Sequence, residues 1–172
     1  PYGIAMTRHY PMKDEQAGEA NDHHHHQSIH YNHPISGVDF WHGRGGARIR
    51  NDEIVKAETL GDQGLIVSRN SWVIGEKRIC SDTTEILCGL TKGGRFIDYK
   101  VSIHATDQDI TFEDSKEGSM SIRTHPALRL TGKVAKGSAI NSEGVTGKAV
   151  WGKAAKWVNY WGPVDGKMVG IA

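Results

Sequence analysis

Several resources are scarce in this chain. Only 2 of its 172 residues are cysteine, 5 are proline and 3 are phenylalanine. Cys80 and Cys88 lie in one stretch that reads as extended, which would hold their Cα atoms roughly 25 Å apart at about 3.3 Å per residue. That separation excludes an intrachain disulfide unless a turn intervenes, and two thiols so spaced make a poor zinc signature. Apolar runs stop far short of the roughly 20 residues a bilayer span needs, so no membrane partner is expected. Charge of one sign is also missing: 21 Lys and Arg against 20 Asp and Glu leave a net +1, so nothing electrostatic argues for nucleic acid. No GxSxG elbow, P-loop, dinucleotide fingerprint, CxxC pair or HExxH is present, which lowers the expectation of acyl transfer, nucleotide hydrolysis, Rossmann redox chemistry and zincin-type proteolysis. The sequence starts at Pro1 with no basic and apolar leader to read as an address. A soluble protein, periplasmic or secreted, is the favoured location.

Glycine is plentiful, with 21 residues, and it punctuates a strand pattern. Residues 53–60 (EIVKAETL), 65–74 (LIVSRNSWVI), 78–90 (RICSDTTEILCGL) and 95–105 (RFIDYKVSIHA) alternate apolar and polar positions and are rich in β-branched types, the signature of half-buried strands. Gly61 to Gly64, Gly75 to Lys77 and Lys92 to Gly94 carry turn chemistry between them. Residues 119–124, 127–134 and 157–160 continue the pattern. Helix is expected only as a short turn near 15–20 or 148–155. The reading is an all-β, antiparallel β-sandwich forming one domain over 1–172. The closing MVGIA reads as a strand just begun, so a truncated copy with uncovered sheet edges is expected.

Against that background histidine stands out. The stretch 21–41, NDHHHHQSIHYNHPISGVDFW, contains His23, His24, His25, His26, His30 and His33, six of the chain's 10 histidines. Imidazole is the commonest neutral metal ligand and titrates near neutrality, so such clustering points to acid/base work or to a metal. In an extended strand His23 and His25 share a face with Cα atoms roughly 7 Å apart, within reach of one divalent ion, while His24 and His26 point away. Asp22 would ligate or orient a ring, and His30, His33 or His42 would return to complete a three-ligand set; His23, His25 and His33 are the metal candidates, and His23, His25 and His26 the acid/base candidates. The bland alternatives are a solvated polar loop or a tag. His9, His104 and His125 are assigned to structure.

Two further segments carry candidates. TFEDSKEGSMSIR, residues 111–123, offers Lys116, Glu117 and Arg123 beside Gly118: either a solvated turn, or a cleft wall in which Glu117 moves protons and Lys116 and Arg123 hold a hydroxyl-rich ligand. NSEGVTGKAVWGK, residues 141–153, offers Glu143 as acid or base in a turn, with Trp151 and Lys153 as substrate contacts. Trp157, Tyr160 and Trp161 follow. Planar apolar surface of this kind suits core packing or stacking on a sugar. Gly162 to Gly166 reads as a hairpin turn with a structural Asp165.

Four segments together, MTRHYPM, DHHHHQSIHYNHPISGVDFW, FEDSKEGSMSIR and NSEGVTGKAVWGKAAKWVNYWGPVDGKMVGIA, resemble the bacterial domain family named methane oxygenase PmoA-like. Asp22, His23, His25, His26 and Ser28 match that family's DHxHH core. Gln27 stands where the family has Arg and His24 where it has Pro, which leaves the motif without a cation of its own. The resemblance does not imply membrane methane oxidation, because the chain is polar and strand-rich. It implies a soluble, galactose-mutarotase-like sandwich by analogy, a class associated with carbohydrate handling, and a chain shorter than its relatives.

Three functions follow as expectations. The first is a carbohydrate-active enzyme, a hydrolase, lyase or epimerase of sugars or glycosides, with a histidine-rich acid/base or metal site that takes a divalent metal if it takes one. The second is a non-catalytic carbohydrate-binding sandwich. The third, which the family name suggests, is a copper-dependent oxidase, needing two or three imidazoles about an open position. A small molecule or carbohydrate is the expected partner in the first two.

Overall fold

The structure, a computed structural model, describes His23, His25, His26 and residues 28–172. Its fold class is all-β and antiparallel, as the alternation predicts. Among the described residues eleven strands follow in chain order: β1 (Ile29–Asn32), β2 (Pro34–Ile35), β3 (Val38–Asp39), β4 (Ala47–Leu60), β5 (Gln63–Ile74), β6 (Lys77–Thr91), β7 (Gly94–His104), β8 (Ser119–Ile122), β9 (Ser138–Asn141), β10 (Val158–Val164) and β11 (Lys167–Ile171). They fall into two compact units, Tyr31–Met120 and Pro1–His30 with Ser121–Ala172. Among the described residues no helix is long and apolar enough to cross a membrane.

The unit Tyr31–Met120 is built on the four-stranded sheet β4-β5-β6-β7, each strand antiparallel to the next. Its turns are those the glycines predict, and the long strands keep Cys80 and Cys88 on β6, both free thiols. Register places Ile49 opposite Trp72, Trp72 opposite Cys80, and Asn70 opposite Asp82. Because strand side chains alternate faces, Ile49, Trp72 and Cys80 share a face. The β2–β3 hairpin covers this end of it, so that Ile35, Phe40, Ala47, Trp72, Ile79 and Cys80 form one buried cluster. Burial, helped by the charge of Asp82, pushes the Cys80 thiol up to about 11. It is an inert core residue rather than a reactive thiol.

The second unit carries the sheet β11-β10-β9. β10 and β11 join through Asp165 (φ 51) and Gly166 (φ 76), consecutive left-handed residues of the kind that tight hairpins require. The turn is thus shorter than the predicted Gly162 to Gly166, and Gly162 and Pro163 lie within β10. Residues 127–134 depart from the predicted strand. Pro126–Leu128 is a buried 3-10 turn, because the fixed φ of Pro126 suits a first helical position and His125 Nδ1 accepts the Ala127 N–H at 3.2 Å. A second 3-10 turn, Gly147–Val150, begins the predicted 148–155 helix and ends there. The predicted turn near 15–20 lies outside the described residues.

Candidate functional site

The histidine motif does not run as an extended strand. The His26 N–H donates to the His23 carbonyl at 3.1 Å, folding the segment back so that rings expected on opposite faces meet. Ring centroids lie 5.7 Å apart for His23 and His25, 4.9 Å for His23 and His26, and 4.3 Å for His25 and His26. His30, on β1, brings a fourth imidazole to 5.8 Å from His26. Arg123 holds this turn. Its N–H donates to the Ser28 carbonyl at 2.7 Å, and its Nη1 donates to the carbonyls of His23 and His26 at 2.8 Å each. A charge-assisted bond to two carbonyls of one turn fixes that turn. Asp22, His24 and Gln27 lie outside the described residues.

Crowding has an electrostatic consequence. Burial, then the charges of His25, His23, His30 and Arg123, hold the His26 imidazole down to about 4. Each cation nearby disfavours a further proton. His26 is therefore neutral at pH 7, beside the permanent guanidinium charge of Arg123.

His33, the third predicted metal ligand, is committed elsewhere. Its Nε2 lies 2.9 Å from the Glu113 carbonyl, its Nδ1 lies 3.2 Å from Ser119 Oγ, and its ring packs on Phe112. Among the described residues no group of three or more His, Cys, Asp or Glu is arranged to hold a metal ion; His23 and His25 belong to one compact unit and His33 to the other. His42 pairs with Asp39 at 2.9 Å. His104 bonds Thr83 at 3.2 Å on the exposed side of β7, a structural role like that of His125; His9 lies outside the described residues.

The remaining candidates divide between the two units. Lys116 and Glu117 form a loose ion pair at 3.4 Å in the unit Tyr31–Met120. In the other unit Glu143 sits in a turn organised by buried Asn141, whose Oδ1 accepts the Glu143 and Val145 N–H groups at 3.0 Å each. Ser142 Oγ donates to Glu143 Oε1 at 2.8 Å and accepts the Lys156 N–H at 2.9 Å, which brings Glu143 alongside the segment leading to Trp157. Trp151 is 85% exposed and Trp157 51%, so neither is core. Lys153 is exposed next to Trp151.

Residues 1–172 match, over their whole length, a family described as a family of unknown function, DUF6807. The chain belongs to the DUF6807 family. This corrects the PmoA-like resemblance: the match over the full length is to DUF6807. The copper oxidase expectation, which came from that family name, loses its ground with it. No curated protein and no solved structure matches this DUF6807 chain.

Sequence reasoning passed over two groupings. One is Asp82, buried on β6 at 3% exposure, which accepts from Trp72 Nε1, Asn70 Nδ2 and Thr84 Oγ1, all at 2.7 Å. Its only signal was a carboxylate at an inward strand position. The other is the pairing of His33 with Ser119, for which no local signal exists.

Proposed function

We propose that this DUF6807 chain is a carbohydrate-active enzyme, a hydrolase, lyase or epimerase of sugars or glycosides, whose proton transfers run through the imidazoles of His23, His25 and His26. The observation that carries this reading is the convergence of those rings, with His30, on a turn held by Arg123. Solvated loop histidines repel one another once protonated and gain nothing from meeting; a fixed cluster beside a guanidinium supports a role for neutral imidazole as proton acceptor. The Arg123 charge is suited to an oxyanion that develops as a substrate C–H or O–H gives up its proton. Exposed Trp151 and Trp157 supply flat apolar surface for a sugar face in the same unit.

Activity on a panel of glycosides, measured on wild type beside His25→Ala and His26→Ala with metal content determined in parallel, tests the reading. Loss of turnover by about 10²-fold or more in a folded, metal-free His26→Ala protein supports it. Full turnover in both variants sinks it, and stoichiometric metal in wild type that disappears in His25→Ala transfers the imidazoles to ligation.

The exposure of Trp151 favours one second reading, a non-catalytic carbohydrate-binding module. Glycan retention that depends on Trp151 and not on the histidines selects it.

A further inference from the structure

Within the unit Tyr31–Met120, the residues around His33 form an arrangement that does not involve the histidine cluster. Residues 111–113 run beside the β2–β3 hairpin: the Ser36 N–H donates to the Thr111 carbonyl at 2.8 Å, and the Glu113 N–H to the Pro34 carbonyl at 3.1 Å. The Glu113 carboxylate accepts the Gly37 N–H at 2.8 Å. These bonds fix the Glu113 carbonyl, which faces His33 Nε2 at 2.9 Å. A carbonyl only accepts, so Nε2 carries the hydrogen and Nδ1 presents its lone pair. Ser119 Oγ lies 3.2 Å from that Nδ1 and therefore donates to it.

The pair is closely fitted on two further sides. Phe112 packs on the His33 ring with centroids 5.3 Å apart. Gly118 has φ +126, and a Cβ placed there would collide with His33 Nδ1, so the backbone next to Ser119 approaches the imidazole as only glycine permits. A hydroxyl bonded to a base, and a base oriented by a third group, are the elements of an activated nucleophile. They are recognised by geometry rather than by sequence order, which is why the missing GxSxG elbow does not count against them.

We propose that Ser119 and His33 form a nucleophile and base acting on carboxylic esters. Ser119 Oγ bonds to the ester carbonyl carbon while its proton passes to His33 Nδ1. The carbon–alkoxy bond then breaks, and the departing alkoxide takes that proton as the alcohol. Water repeats the sequence on the acyl-serine: its proton goes to Nδ1, the bond to Oγ breaks, and Oγ recovers the proton as the carboxylic acid leaves. No oxidant, reductant or metal enters the balance. The Glu113 carbonyl keeps the tautomer through both halves.

A fluorophosphonate probe, incubated with the full chain and followed by intact mass and peptide mapping, tests this directly. The expected result is one adduct, on Ser119, absent in Ser119→Ala and formed at least about 10²-fold more slowly in His33→Ala, with p-nitrophenyl acetate hydrolysis lost in parallel. Near-UV circular dichroism establishes that each variant is folded, and the wild-type labelling stands whether or not they are. A folded wild type without an adduct on Ser119 overturns the proposal, as does labelling that His33→Ala leaves unchanged.

Discussion

The indole Nε1–H of Trp72 donates to Asp82 Oδ2 at 2.7 Å, across neighbouring strands and out of contact with water: Trp72 is 0% exposed and Asp82 3%. This bond ties the only carboxylate among the buried polar side chains described to the largest fully buried side chain. Asn70 and Thr84 complete the carboxylate's partners.

Removing either end is therefore costly in different ways. Asp82→Ala leaves three donors to find new acceptors and is expected to lower stability by about 3 kcal/mol or more. Trp72→Phe removes one donor from a buried carboxylate and opens space, and is expected to cost about 1–3 kcal/mol. Urea denaturation midpoints at constant slope measure both.

Arg123 acts on the histidine turn by geometry and by charge. Arg123→Ala removes the bonds to the His23 and His26 carbonyls and one of the charges that lower His26. The His26 titration midpoint should move up from about 4, by less than burial and the neighbouring histidines lower it, because Arg123 is the smallest of the causes, read from imidazole proton shifts in an NMR titration. A midpoint that stays in place would mean that the turn is held without Arg123.

His26 also sets a pH dependence of stability. Its folded value, about 4, lies below its ordinary 6.5, so the unfolded chain binds the proton first as pH falls. Stability is fully present above 6.5, is lost progressively between about 6.5 and about 4, and has no further His26 slope below that. Thermal midpoints across this range should fall less in His26→Gln than in wild type. Screening at this partly exposed site keeps the effect modest.

Under the proposed function, Trp151 serves recognition and not stability. At 85% exposure its side chain contributes little to packing, so Trp151→Ala should leave stability within about 0.5 kcal/mol while reducing retention on immobilised glycans. Affinity electrophoresis beside a thermal melt checks both halves.

Gly118→Ala should do the reverse. A Cβ at φ +126 strains the backbone and displaces His33, for an expected loss of about 1–3 kcal/mol. Melting temperature, with probe labelling of Ser119 measured alongside, reports whether the nearby glycine serves the pair.

Much of the fold was legible because its information is local. Alternation over 65–74 and 78–90 marks β5 and β6 within a few residues, and the glycine turns mark their ends. β4 begins earlier than its predicted start at 53, at Ala47: residues 47–50 alternate, the polar run Asn51 to Glu53 then interrupts the pattern, and β5 supplies ladder partners on both sides of it. Leu128 and Leu130 alternate like strand residues, yet Pro126 and the cap from His125 turn the chain instead. Of the candidate site, the histidine density was plain, but the extended geometry assumed for it was not the one adopted. The fold-back depends on a carbonyl-binding arginine 100 positions from His23, which no local period encodes.

By itself, then, the sequence determined an antiparallel all-β chain, two cysteines too far apart to bridge, and a histidine-rich segment as the place to look. These follow from properties of neighbouring residues: side-chain alternation, turn preference and composition. Only the tertiary structure decided that His23, His25, His26 and His30 gather under Arg123, that Asp82 is buried against Trp72, and that His33 faces Ser119 across 86 positions of chain. Each depends on a hydrogen bond or ring contact between residues brought together by strand pairing and turns, and sequence spacing carries no record of which distant partner will arrive.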